Sequence, residues 1–189
     1  MVLGPQLTSS SQIITDHLKP GMRLPPVMLP ATGGSRVLLA TRRGRSIIAV
    51  YPWTGRPGLS NPPNWDDIPG AHGSTPELEG FRDLHAEFTR LGVQIHGLSR
   101  QTTSYQREMA VRLSLPFLIL SDAKGAFATA LRLPNFATGG ETYLERLTLV
   151  VSDGIIESVV YPVTDPARHA ADLLPRLAQI TSSSVSSTE

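Results

Sequence analysis

The stretch SIIAVYPW (residues 46–53), TGRPGLSNPPNWDDIPGAHGS (54–74), TPELEGFRDLHAEF (75–88) decides the fold. Its first segment is continuously apolar and rich in β-branched residues, the pattern of a strand covered on both faces rather than on one. The middle segment holds four prolines and four glycines in residues 54–73. An irregular run of that length inside a compact domain is usually functional, and Trp65 and Ile68 predict that part of it packs down. In the third segment Leu78, Phe81, Leu84, Phe88 and Leu91 step by threes and fours, which predicts one amphipathic helix over 76–91, stopped by Gly92. Backbone N–H donors converge where such a helix begins, and Ser74 stands there.

On the N-terminal side, residues 1–20 read as a loose arm or short helix, and GMRLPPVMLP (21–30) has too many prolines for a helix. After the turn at Gly33-Gly34, SRVLLA (35–40) and SIIAVYPW flank a turn at TRRGR (41–45), which predicts an N-terminal β-hairpin made of those two runs. On the C-terminal side come a strand VQIHGLS (93–99), a helix over 103–113, and a strand LPFLILSD (115–122). A short helix (125–133) and a loop (134–140) precede a hairpin of 146–154 with 155–163 turned at Ser152-Asp153-Gly154. Asp165-Pro166 opens a last helix to Ile180, and 181–189 read as a disordered tail. The two ATGG runs, at 31 and 137, are two turns. Alternating strands and helices imply a parallel sheet with an antiparallel addition, a three-layer α/β/α sandwich over residues 21–180.

Composition narrows the functional classes. Of 189 residues, 17 are Lys or Arg and 16 Asp or Glu, so the net charge of +1 gives no reason to expect a nucleic-acid or acidic-membrane partner. No run approaches the roughly 20 apolar residues of a membrane span, nor does the N-terminus read as a secretory signal, so a cytoplasmic location is expected. The sequence holds no cysteine, which excludes disulfides, thiolate metal sites and a thiol nucleophile in the chain as written. Five histidines show no ligand spacing, and no phosphate or dinucleotide fingerprint is present, so neither metal nor cofactor is expected.

Ser74-Thr75-Pro76-Glu77 fits the capping box, in which a serine caps the first turn and a glutamate three residues on reaches back. A Ser-His-Asp arrangement with His72 and Asp66 is the sharper alternative, although HGSTP lacks the Gly-x-Ser-x-Gly elbow. Arg146 opens the apolar run LTLVV: it is either an exposed strand end or a cation directed into the cleft beside Ser74, where it would stabilise an anion.

GSTPELEGFRDLHAEF, preceded by YPWTGRPG and followed by GLSRQTTSYQREMA, LPFLILSD and RLTLVVSDG, resembles a peroxiredoxin of the alkyl hydroperoxide reductase/thiol-specific antioxidant family. The resemblance runs from about Gly21 to Leu177, interrupted by the loop over 55–69. It implies a thioredoxin-like fold and reduction of hydroperoxides by a peroxidatic cysteine at the start of the first long helix. Ser74 stands in that cysteine's place, and Pro52 matches the family proline. The family's hydroxyl residue falls on Ala71, so Thr54 is the candidate for that role. Arg146 matches the arginine that polarises the peroxide and lowers the thiol pKa, and Glu79 occupies the position of a resolving cysteine in some relatives. The implied parent is a one-cysteine thiol peroxidase that takes a hydroperoxide and an external thiol reductant, and homodimers are common among relatives. A thiol of pKa about 8.5 is drawn toward thiolate by a helix start and an arginine, and thiolate attack on peroxide yields sulfenic acid. A serine hydroxyl is a poor nucleophile without a general base, so the Ser74 chain is expected to be inactive as a peroxidase. Ser74 is read as an engineered exchange that keeps the reduced-state geometry. The alternatives are a natural non-catalytic binding protein and an enzyme of different chemistry with His72 as base.

Overall fold

The computed structural model describes residues 15–185, with side-chain environments for 15–179. Most of the N-terminal arm and the last four residues of the tail therefore lie outside the described residues. The chain runs β1 (Met28–Pro30), β2 (Arg36–Leu38), β3 (Arg45–Val50), α1 (Ser74–Asp83), α2 (His85–Arg90), β4 (Val93–Ser99), α3 (Thr103–Arg112), β5 (Leu118–Ser121) and α4 (Ala126–Leu131). There follow β6 (Asn135–Thr138), β7 (Glu141–Leu144), β8 (Leu147–Ser152), β9 (Ile155–Val160) and α5 (His169–Val185).

The central sheet has the order β5-β4-β3-β8-β9. The first three strands are parallel, Ile47 facing Ile95 and His96 facing Leu118, while β8 and β9 are antiparallel additions. Alternation along β3 sends Ile47 and Ala49 to one face and Ile48 and Val50 to the other. The first face packs on Leu78 and Phe81 of α1, Phe88 of α2, Met109 of α3 and Leu173 of α5. The second packs on Phe127 and Leu131 of α4 and on Leu29 and Val37 of the β1–β2 hairpin. A continuously apolar strand follows directly from being covered twice.

Four details depart from the sequence reading. The N-terminal hairpin pairs β1 with β2, Leu29 opposite Val37, rather than β2 with β3. Strand β3 instead takes β4 and β8 as neighbours, because a fully apolar strand buries more surface in the middle of the sheet than in a ribbon. The helix over 76–91 divides at Leu84, whose backbone (φ −101°, ψ 11°) leaves the helical region while the bonds Leu84 N–H to Gly80 O and Phe88 N–H to Leu84 O continue. Residues 134–140, expected as a loop, carry β6, which pairs with β7 across Gly139-Gly140, both at positive φ. Finally, α5 extends to Val185, so residues 181–185 are helical rather than part of a disordered tail. Serine costs little more than half a kcal/mol per helical residue, roughly, so a helix already nucleated by packing propagates through it.

The long loop between β3 and α1 is anchored as expected. Trp65 lies in a short 3-10 turn (Trp65–Asp67), 3% exposed, against Trp53, Phe136 and Tyr143. The Thr138 hydroxyl donates to Pro63 O, tying the loop to the β6–β7 hairpin.

Candidate functional site

The first turn of α1 is built around a glycine. Gly73 is the N-cap residue at φ +100°, a conformation natural to glycine, and a Cβ there would fall 2.7 Å from Pro166 Cγ. Ser74 is therefore the first helical residue and not the cap, and its side chain makes no capping bond. Proline at position 76 removes one N–H from the tip, which leaves those of Ser74 and Thr75 as the forward-facing donors.

Ser74 is 2% exposed, and its Oγ accepts a hydrogen bond from Arg146 Nη2 at 3.2 Å. The same nitrogen donates to His72 O at 2.8 Å and Gly70 O at 3.4 Å. Arg146 lies in the two-residue link between β7 and β8 and is 4% exposed, so the exposed strand end is ruled out in favour of the cation at the cleft. Its other terminal nitrogen, Nη1, pairs with Glu77 Oε2, and Glu77 is fully buried.

Glu77 thus spends its carboxylate on Arg146 and not on the N-cap, which overturns the capping box. Burial pushes its pKa up to about 7, against the opposing pull of the Arg146 charge. The pairing was accessible in principle: Ser74, Glu77 and Phe81 fall on one helix face, and a carboxylate flanked by core residues needs a cation. Arg146 also borders a cleft of about 360 Å³ with Gly70, Phe136 and Tyr161.

A buried histidine lies behind this pair. His169, at the start of α5, exchanges a 2.8 Å hydrogen bond between Nε2 and Thr148 Oγ1 and meets the Phe81 ring edge to face at 5.5 Å. Burial, helped by the charges of Arg146 and Arg176 and opposed by Asp172, lowers its pKa to about 4.

The remaining sequence candidates are dispersed. Thr54 is buried, but its hydroxyl and N–H both donate to Gln101 Oε1, at 3.0 and 3.1 Å, and no hydrogen bond joins it to Ser74. The Gln101 amide returns a bond to Thr54 O at 3.1 Å, so this hydroxyl is fixed on the β4–α3 loop. Pro52 lines a second pocket with Trp53 and Tyr105, of which Ser74 is not part. His72 directs its ring to Asp66, Nε2 to Oδ1 at 2.8 Å, both well exposed, while its carbonyl serves Arg146. The Ser-His-Asp arrangement is not assembled, since the partner of Ser74 Oγ is Arg146. Among the described residues no group of three or more His, Asp or Glu is placed to hold a metal ion. Nor, among them, is any helix long and apolar enough to cross a membrane.

What this arrangement can do chemically is hold negative charge at the side chain of residue 74. A guanidinium fixed by a buried carboxylate and two carbonyls needs no reorganisation when an anion forms beside it. With oxygen in that position the site orients a hydroxyl; the chain has no sulfur nucleophile to activate.

Residues 69–159 match the AhpC/TSA family, a span that contains Ser74, Glu77 and Arg146 but neither Pro52 nor Thr54. A Coxiella burnetii protein named as the peroxiredoxin bcp is 26% identical over 164 residues, covering 83% of this chain and 97% of its own length. The chloroplastic peroxiredoxin Q of Oryza sativa subsp. japonica is 24% identical over 177 residues, 93% of this chain and 74% of its own. Among solved structures, the peroxidoxin BcpB of Mycobacterium tuberculosis superposes with a TM-score of 0.70 at 24% identity, covering 87% of this chain and 99% of that one.

Proposed function

The chain belongs to the AhpC/TSA peroxiredoxin family and has its thioredoxin-like fold, and on that premise we propose that its pocket is that of a one-cysteine thiol peroxidase with Ser74 in the nucleophile's place. In the cysteine form, the thiolate of residue 74 attacks the terminal oxygen of hydrogen peroxide or an organic hydroperoxide, the O–O bond breaks, water or the alcohol leaves, and the sulfur becomes a sulfenic acid. An external thiol then restores it, since no second cysteine exists in the sequence. Arg146 is the anion and peroxide stabiliser, oriented by Glu77. Thr54 acts at one remove, by fixing the β4–α3 loop through Gln101, and Pro52 shapes the neighbouring wall. As it stands the Ser74 chain orients peroxide without reducing it, and the exchange is read as an engineered one that preserves the reduced-state geometry.

The observation that carries this reading is the 3.2 Å bond from Arg146 Nη2 to Ser74 Oγ at a helix start. The experiment is steady-state turnover of hydrogen peroxide with dithiothreitol by Ser74→Cys beside the unaltered chain. Turnover by the variant alone is expected, and its absence with both hydrogen peroxide and cumene hydroperoxide rejects the peroxidase reading.

A second reading, a cysteine-free relative that binds rather than catalyses, draws on the aromatic pocket beside Trp53. A serine codon at position 74 of the native gene, with a small molecule retained on purification, favours it.

A further inference from the structure

The three parallel strands all end at one side of the sheet, and the loops that follow them enclose a pocket of about 230 Å³. Pro52 and Trp53 come from the loop after β3, Arg100–Thr102 from that after β4 and Ala123 from that after β5, while Glu141–Tyr143 of β7 close it. Crevices at the carboxyl ends of parallel strands are where α/β proteins place ligands. This one is separate from Ser74 and Arg146, neither of which lines it.

Its walls are half-buried aromatics: Trp53, Tyr105 and Tyr143. They are held from behind by Trp65, which packs edge-on against Trp53 (centroids 5.5 Å apart) and against Tyr143 (5.0 Å). Trp65 comes from the long proline-rich loop, so the loop's buried indole joins two walls of the pocket.

Between these walls stands a cation with no direct partner. Arg100 is half-buried, lines the pocket, and among the described residues its side chain has neither an ion pair nor a hydrogen bond. It lies over Gly125, where a Cβ would come within 3.5 Å of its Cζ. A partly desolvated guanidinium is normally paired, and its flat fork matches a carboxylate. Glu141, exposed, brings a carboxylate to the same pocket, which disfavours a second negative charge on a ligand and accepts a hydroxyl or amine donor.

We propose that this pocket binds a small aromatic monocarboxylate, its ring between Trp53, Tyr105 and Tyr143 and its carboxylate on Arg100. The inference is independent of the reading of Ser74, and the peroxide assay of Ser74→Cys and the binding test below fail separately.

The test is isothermal titration of the full chain with 4-hydroxyphenylacetate. A charge-assisted bidentate bond is worth about a factor of ten or more in affinity. Saturable binding is expected, weakened about tenfold or more in Arg100→Gln of unchanged melting temperature, and weakened similarly when 2-(4-hydroxyphenyl)ethanol replaces the acid on the unaltered chain. No saturable heat up to millimolar acid overturns the proposal. So does equal affinity of acid and alcohol, which needs no variant to fold.

Discussion

Two arginines border two pockets of this protein and are bound in opposite ways. Arg146 is 4% exposed and directs its terminal nitrogens at Glu77, Ser74 and the carbonyls of Gly70 and His72. Arg100 is half-buried, without a side-chain partner among the described residues. The first has both terminal nitrogens engaged, its buried Nε alone lacking a partner, and serves as fixed scaffolding for charge at residue 74. The second is a cation with capacity to spare, the condition of a group that waits for a ligand. A guanidinium held at both terminal nitrogens is preorganised for charge beside it, whereas one without a partner keeps its donors open to a ligand.

The contrast is sharpest in stability. Arg146→Met removes the charge that holds the buried Glu77 ionised, so the group must stay unpaired or take up a proton, and a loss of about 3–5 kcal/mol is expected in urea unfolding at pH 8. A loss under about 1 kcal/mol there contradicts the buried pair.

Next in size is a pH effect behind the same pair. The His169 pKa falls from 6.5 unfolded to about 4 folded, so the folded protein binds fewer protons than the unfolded one between those values. The contribution of neutral His169 is whole above pH 6.5 and is lost as pH falls toward 4, roughly 3 kcal/mol in all. Unfolding of the unaltered chain and of His169→Asn should converge by about that amount between pH 6.5 and pH 4; parallel profiles contradict the assignment. At the small end, Arg100→Gln should change stability by no more than about 0.5 kcal/mol. A larger loss means that Arg100 belongs to the scaffold after all.

The same contrast explains what the sequence made legible. The apolar run of β3, the helical stepping of Leu78 and Phe81 and the Asp153-Gly154 turn are local patterns, and each survives in the structure. Ser74 and Arg146 were recognisable through resemblance, and geometry brings them together. The partner of Glu77 is not legible in sequence, because a glutamate three residues into a helix fits a cap and a long-range partner equally, and only the tertiary fold places Arg146 beside it. The Thr54 hydroxyl is visible in the sequence, but which neighbour a buried hydroxyl bonds depends on loop packing, here Gln101 from 47 positions away. The β6–β7 hairpin is weakly written although Gly139-Gly140 is a strong turn signal, because Asn135 and Ala137 are weak strand residues until Trp65 covers Phe136. The pairing of β1 with β2 was hidden by prolines that the short strands tolerate at an edge.

The central claim is that the helix start and Arg146 together favour negative charge at residue 74. The pH dependence of thiol alkylation in Ser74→Cys measures it most directly. The account predicts a thiol pKa well below the ordinary value of about 8.5, and a pKa at or above that value contradicts it.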